Sequence, residues 1–137
     1  KLRLVVEHDP ATHRWAAFFP ELPGCASAGD TEEEAIRNAR EALELWFEPS
    51  TESFPPGAKV LEIAFRGEHF PVCTAKDVVR VLRQQGFTMV SQKGSHQKWR
   101  HASGRQVIVP MHGNKPIPIG TLKSIIEGSG LALHEFR

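Results

Sequence analysis

The sequence predicts an α+β protein of two small domains, β-β-β-α-β followed by α-β-β-β-α. Three observations carry that reading. Short apolar runs with a period of two alternate with longer runs at helical spacing. A stretch with Ser53, Pro55, Pro56 and Gly57 separates two sets of such runs. Charge also divides at Phe70/Pro71. Residues 1–70 hold 7 Lys and Arg against 13 Asp and Glu, a net of −6, whereas residues 71–137 hold 10 against 3, a net of +7. A length of 137 residues suits one domain or two very small ones, and the charge step favours two. A basic half implies an acidic partner, usually nucleic acid. Here a second acidic partner is covalently attached, and it can mimic the polyanion and cover the basic surface.

In the acidic half, Leu2, Leu4 and Val6 alternate with Arg3, Val5 and Glu7, which is strand periodicity. Asp9-Pro10-Ala11-Thr12 reads as a turn, and residues 13–19 as a second strand rich in aromatics. Leu22-Pro23-Gly24 breaks the chain, and residues 25–28 form a short third strand. Thr31 caps a helix, with Glu34 placed to reach back to the Thr31 N–H and with Glu32, Glu33 and Glu34 at the positive end of the helix dipole. Ile36, Ala39, Leu43, Trp46 and Phe47 form its apolar stripe, and Pro49 ends it. Residues 50–58 are a loop, and Val60, Ile63 and Phe65 mark a last strand.

In the basic half, Thr74 and Asp77 form a capping-box variant. Val78, Val79, Val81 and Leu82 face inward, Lys76, Arg80 and Arg83 line an exposed stripe, and Gly86 stops the helix. A strand at residues 87–90 precedes residues 92–101, where alternation puts Ser95, Gln97 and Trp99 on the core side. His96, Lys98 and Arg100 then share the open side. A turn at residues 102–105 leads to a returning strand at 106–110 with Val107 and Val109 inward. Thr121 is the expected cap of a second helix whose buried face is Leu122, Ile125 and Ile126, with Gly128 and Gly130 at its end. Two helices against three strands resemble a double-stranded-RNA-binding domain in layout.

The run Trp15-Ala16-Ala17-Phe18-Phe19-Pro20-Glu21-Leu22-Pro23-Gly24-Cys25, followed by residues 28–35 with Thr31-Glu32-Glu33-Glu34-Ala35, resembles the HicB antitoxin N-terminal domain over about residues 2–65. That resemblance implies a partial ribonuclease-H-like sheet with no active site. Many members carry a C-terminal DNA-binding module. Here the basic half takes that place, so DNA is not an expected partner. The run Gly94-Ser95-His96-Gln97-Lys98-Trp99, with Gly104-Arg105, Val109-Pro110-Met111-His112 and Gly120-Thr121-Leu122-Lys123-Ser124-Ile125-Ile126, resembles the HicA toxin family over about residues 74–136. That resemblance implies mRNA cleavage without a metal by one histidine, here His96. The expected boundaries are 1–65 for the antitoxin domain, 66–72 for a linker and 73–137 for the toxin domain.

The residues suit that chemistry. RNA carries its own nucleophile, the 2′-OH. A positioned base removes its proton, and cations stabilise the charge that develops on the phosphate. An imidazole with a pKa near 6.5 serves as that base at neutral pH, and Lys98 and Arg100 beside it would disfavour its protonated form. His96 is therefore the expected catalytic residue. Lys93, Gly94, Ser95, Lys98, Arg100 and His112 are the expected RNA contacts. His112 has two open readings, an acid partner or a turn residue bonded to the backbone. His101, beside the turn, is expected to be solvated. No metal or cofactor is expected, because the basic half lacks the carboxylate cluster that Mg²⁺ chemistry requires. Glu7, Asp9, Glu21 and Asp30 of the acidic half read as scattered solvated carboxylates. Cys25 and Cys73 match no metal or disulfide spacing.

Every apolar run is too short for a membrane span, and residues 1–9 lack a secretory signal, so a cytoplasmic chain is expected. The expected function is a ribonuclease neutralised by its own antitoxin domain. Seven linker residues reach at most ~25 Å, so neutralisation runs in cis if the docked ends lie close and through a swapped dimer if they do not. Two other readings stand beside it. A non-catalytic RNA-binding module with an acidic regulatory domain would bind RNA without cutting it. A transcriptional autoregulator would bind operator DNA.

Overall fold

The computed structural model describes residues 1–49 and 71–136. The acidic half opens as a meander of β1 (Val5–Asp9), β2 (Arg14–Phe18) and β3 (Ala26–Gly29), antiparallel in that order. The alternation at residues 2–7 lies partly ahead of β1, and Leu2 is exposed. The turn begins after Asp9, whose carboxylate accepts from the Ala11 amide at 2.9 Å and the Thr12 hydroxyl at 3.1 Å.

Helix α1 (Glu32–Phe47) starts as expected, with the Thr31 hydroxyl accepting from Glu34 N–H at 3.1 Å. The Glu34 carboxylate, however, accepts from Asp30 N–H rather than from Thr31. The buried face also differs from the expected stripe. Ala35, Ala39, Ala42 and Leu45 are buried, Ile36, Leu43 and Trp46 are half-buried, and Phe47 is exposed. Alanines at i, i+4 and i+7 let the helix approach a sheet closely, and the larger residues fall to the flanks. The helix ends two residues before Pro49. The expected strand at Val60, Ile63 and Phe65, the loop at 50–58 and linker residues 66–70 lie outside the described residues.

The basic half begins with α2 (Ala75–Gln84), whose capping box is complete. Thr74 Oγ1 accepts from Asp77 N–H, and the Asp77 carboxylate accepts from Thr74 N–H at 2.9 Å. Gly86, at φ 89°, lets the Phe87 amide reach the Leu82 carbonyl and its own amide reach Arg83, which closes a Schellman motif. Strands β4 (Thr88–Lys93), β5 (His96–Arg100) and β6 (Gln106–Pro110) form a second antiparallel sheet in that order, with a bulge between Met89 and Ser91. Trp99, Val107 and Val109 pack under α2 and α3 (Ile119–Ser129) with Val78, Leu82, Leu122 and Ile125. A short 3₁₀ turn at Leu133–Phe136 closes that core. The Lys76/Arg80/Arg83 stripe is exposed, and Arg83 lies 5.3 Å over the Trp99 ring. Cys25 and Cys73 are both buried thiols.

The cap of α3 departs from expectation. The helix starts after Pro118, two residues before Thr121, and has no side-chain cap within its own half. Thr121 is buried, and its hydroxyl donates to the Ser27 carbonyl at 2.5 Å. The missing cap comes from the acidic half, where Asp9 Oδ2 accepts from the Ile119 amide at 3.0 Å. Gly128 lies inside the helix, and Gly130, at φ 68°, is its C-cap.

The two halves interlock. The sheets abut along β3 and β6, where the Ile108 amide donates to the Gly24 carbonyl at 2.8 Å. Helix α1 packs on one face across both sheets, and α3 packs on the other against β1, β2, β3 and β6. Period two divides β6 accordingly. Val107 and Val109 enter the core under α2 and α3, while Ile108 joins Ala17, Phe19, Cys25, Ala39 and Leu45 in the core of the acidic half.

Candidate functional site: a buried histidine between the two halves

Within β5 the side chains alternate as expected, but Ser95, expected on the core side with Gln97 and Trp99, lies in the turn ahead of the strand with its Oγ 3.4 Å from His112 Nε2. Trp99 points into the core of the basic half, and His96 and Lys98 point to the opposite face. That face is not open. Helix α1 and strand β3 cover it, and His96 is 0% and Lys98 1% exposed.

Both ring nitrogens of His96 are bound by the acidic half. Nδ1 lies 2.8 Å from Glu41 Oε1, and Nε2 lies 2.7 Å from Ser27 Oγ. A carboxylate only accepts, so Nδ1 carries the proton and Nε2 receives the serine hydroxyl. Burial lowers the imidazole pKa, and the hydrogen bond and charge of Glu41 oppose it by favouring the imidazolium. Lys98 and Arg100 were expected to hold the ring neutral, but burial does so. The order Ser27–His96–Glu41 has nucleophile–base–orienter connectivity. Ser27 is 0% exposed, so its hydroxyl is closed off from solvent and turned to His96 Nε2.

The cations around His96 are engaged in the same way. Lys98 donates to the carbonyls of Leu45 at 3.0 Å and Glu48 at 2.7 Å, at the C-terminal end of α1. That end carries no basic residue of its own, so Lys98 supplies the positive charge its dipole favours. Burial lowers the Lys98 pKa, Glu48 opposes this and Arg100 adds to it. Lys93 pairs with Glu44 at 3.2 Å and lies 4.0 Å from Glu48. Gly94 sits against the Glu41 carboxylate, where a side chain would collide. Arg100 is half-buried at the end of β5, two residues beyond Lys98.

His112 opens a turn, as one of its two readings expected, with its carbonyl accepting from Lys115 N–H at 3.2 Å, while its ring is bound by side chains. Its Nδ1 lies 3.1 Å from an Arg14 nitrogen and its Nε2 3.4 Å from Ser95 Oγ, and its ring centroid is 6.2 Å from that of His96. Arginine only donates, so Nδ1 accepts. Burial, then the charges of Arg14 and His96, lower the His112 pKa to about 4. Arg14 is itself buried and also contacts Asp30 at 2.9 Å and the Pro116 carbonyl at 3.1 Å. Asp30 additionally pairs with Lys115, and these two partners hold its carboxyl below the usual range. His101 is not simply solvated. It bonds Ser103 at 2.9 Å and packs against Phe87.

The sequence brought His96, Lys93, Gly94, Ser95, Lys98 and His112 to one place but did not reveal what meets them. Glu41 and Glu44 in α1 and Glu48 at its C-cap stand at i, i+3 and i+7, an acidic spacing that was readable. Ser27 and Arg14 had no such signal, because a serine among alanines and an arginine in a strand are usually unremarkable. The four acidic-half carboxylates do not converge. Asp9 is buried against α3, Glu21 pairs with Arg3 at 2.6 Å, and Asp30 pairs with Arg14 and Lys115. Among the described residues no helix is long and apolar enough to cross a membrane.

Comparison with known proteins finds two families in the same order as the two halves, with matches that overlap at residues 75–81. Residues 3–81 match the family model of the HicB-like antitoxin of a bacterial toxin–antitoxin system. Residues 75–131 match the model of the HicA toxin. An antitoxin HicB 2 of Photorhabdus laumondii subsp. laumondii is 35% identical over 80 residues, covering 56% of this chain and 51% of that protein. A UPF0150 protein of Synechocystis sp. is 62% identical over 32 residues, covering 23% of this chain and 40% of that protein. A UPF0150 protein of Helicobacter pylori is 44% identical over 45 residues, covering 33% of this chain and 60% of that protein. In each case the chain spans less than two thirds of the relative's own length.

Proposed function

The chain belongs to the HicB-like antitoxin family and carries a HicA toxin domain behind it, a toxin–antitoxin module in one polypeptide, and we propose that it is a latent mRNA endoribonuclease held off by its own N-terminal half. The boundaries are 1–65 for a partial ribonuclease-H-like antitoxin domain, 66–72 for the linker and 73–137 for a toxin domain with double-stranded-RNA-binding layout. His96 is the general base. Its Nε2 takes the proton of an RNA 2′-OH, the 2′-oxygen attacks the adjacent phosphorus, and the bond to the 5′-oxygen breaks, yielding a cyclic phosphate end and a 5′-OH that takes its proton from solvent water, to which His96 returns the proton it took. Lys93, Lys98 and Arg100 hold the phosphate and stabilise its developing charge. Gly94, Ser95 and His112 stand beside His96 and contact the RNA. No step requires a metal ion.

One observation carries the reading. His96 is fully buried, with both ring nitrogens bound by residues of the acidic half. In that state Nε2 has no lone pair to offer a 2′-OH. Contacts of the acidic half with the basic half at Asp9, Ser27, Asp30 and Glu41 support neutralisation in cis over a swapped dimer.

The test is cleavage of a labelled mRNA in EDTA by the whole chain, by residues 71–137, and by that fragment with His96→Ala, each checked for helix content. Only the unmutated fragment should cut, and losing the base should slow it ~10²–10⁴-fold. A folded fragment that binds RNA and never cuts it would replace the enzyme with a binding module.

A further inference from the structure

The two halves meet at the turn carrying Gly24, just ahead of β3, and the hydrogen bonds that Gly24 makes across the seam use its main chain. The Gly24 amide donates to Ser124 Oγ at 3.1 Å, and its carbonyl accepts from Ile108 N–H at 2.8 Å. Both polar groups of this residue are therefore satisfied by the basic half. Strand β6 is the outer strand of its own sheet, so the bond to Gly24 covers an edge amide that pairs with nothing in β5.

Gly128 stands on the other side of the same turn. A Cβ there would lie 2.4 Å from Gly24 Cα and 2.5 Å from both Gly24 N and Pro23 O. All three are main-chain atoms of the acidic half, so no rotamer relieves the clash. Gly128 lies inside α3, where alanine is the better helix former. The helix gives no reason for a glycine, and the docked turn does. Gly24 is constrained in turn. Its φ is +99°, and a Cβ on it would meet the Gln106 carbonyl at 2.7 Å.

We infer that the Ile108 amide, the Ser124 hydroxyl and the bare Cα of Gly128 form a socket by which the toxin half selects its antitoxin through main chain. The socket accepts a tight Pro-Gly turn with a glycine at positive φ. It excludes an antitoxin domain bearing any side chain at that position. Charge pairs such as Lys93 with Glu44 tolerate many partners because exposed ion pairs discriminate weakly. Steric closure at the seam discriminates sharply. This inference names the partner in the neutralisation proposed above, and it rests on that reading only for its RNA readout.

The experiment is amide hydrogen exchange on the whole chain, followed by NMR, for the wild type, Gly128→Ala and Ser124→Ala. In Gly128→Ala, exchange at Ile108 should quicken by roughly 100-fold, the scale of a severe overpacking. Amides of α2 should keep their protection, and the whole chain should begin to cleave labelled mRNA. Ser124→Ala adds no bulk and removes one hydrogen bond, so Ile108 exchange should quicken by about 10-fold. Wild-type protection of Ile108 in a folded Gly128→Ala overturns the socket. If that variant fails to fold, unchanged Ile108 exchange in Ser124→Ala overturns it instead. Quickened exchange without RNA cleavage keeps the socket, with His96 still held by Ser27 and Glu41.

Discussion

Removing the Asp9 carboxylate tests whether the acidic half completes the fold of the basic half. Asp9 is 5% exposed and accepts three hydrogen bonds, two closing its own turn and one from Ile119 across the interface. Burial alone would raise its pKa, but the bonds from Ile119, Ala11 and Thr12 outweigh burial and lower it below the usual 3.8. The carboxylate is therefore charged, and its contribution is present above pH 3.8 and lost as the pH falls through the lowered value. Helix α3 has no other side-chain cap. A lost cap costs about 1 kcal/mol, and a hydrogen bond to a charged group is worth about 1.5–3 kcal/mol. These effects overlap, so Asp9→Ala should cost about 2–3 kcal/mol, or on the order of 10 °C in Tm at this length. Locally, the Ile119 amide should exchange about 30- to 150-fold faster. Asp9→Asn keeps an acceptor and should recover a large part of the loss. If Asp9→Ala lowers Tm but leaves Ile119 exchange unchanged, the carboxylate merely locks its own turn and the trans cap is wrong.

Other outcomes follow from the same interface. His112, with its pKa lowered to about 4, should make stability fall below pH 6.5, because the unfolded imidazole takes a proton that the docked one refuses. The loss should approach about 3 kcal/mol near pH 4, and urea midpoints against pH should show that slope weakened in His112→Gln. Ile108→Ala, at the point where β6 enters the acidic half's core, should cost about 2–5 kcal/mol in urea unfolding, and a loss under 1 would mean that core is not shared. Lys115→Ala should cost less than about 1 kcal/mol and less still in high salt, because Lys115 is half-exposed and Asp30 keeps Arg14.

Much of the fold was legible because local signals and tertiary packing agree. Thr31, Thr74 and Gly86 act where their chemistry places them, and Trp99 alternates with His96 and Lys98 as a strand requires. The errors share one cause. The expected stripe on α1 assumed one buried surface, and the helix has two, so its alanines turned inward and Phe47 turned out. Thr121 has the chemistry of a cap, yet it lies two residues inside a helix whose cap comes from a strand 110 positions earlier. The expected open face of β5 assumed a separate basic domain. Of the site, the sequence supplied the histidine and its cations. It did not supply Ser27 or Arg14, because their roles arise only when two halves with no local relation dock.

The most direct test of the account is the state of the His96 ring in the whole chain, read by histidine ring ¹⁵N NMR between pH 8 and 5. With Glu41 accepting from Nδ1 and Ser27 donating to Nε2, His96 should appear as the neutral Nδ1–H tautomer at neutral pH, with its midpoint moved below 6.5. An Nε2–H tautomer titrating at the ordinary value near 6.5 would mean the histidine faces solvent and the acidic half does not cover it.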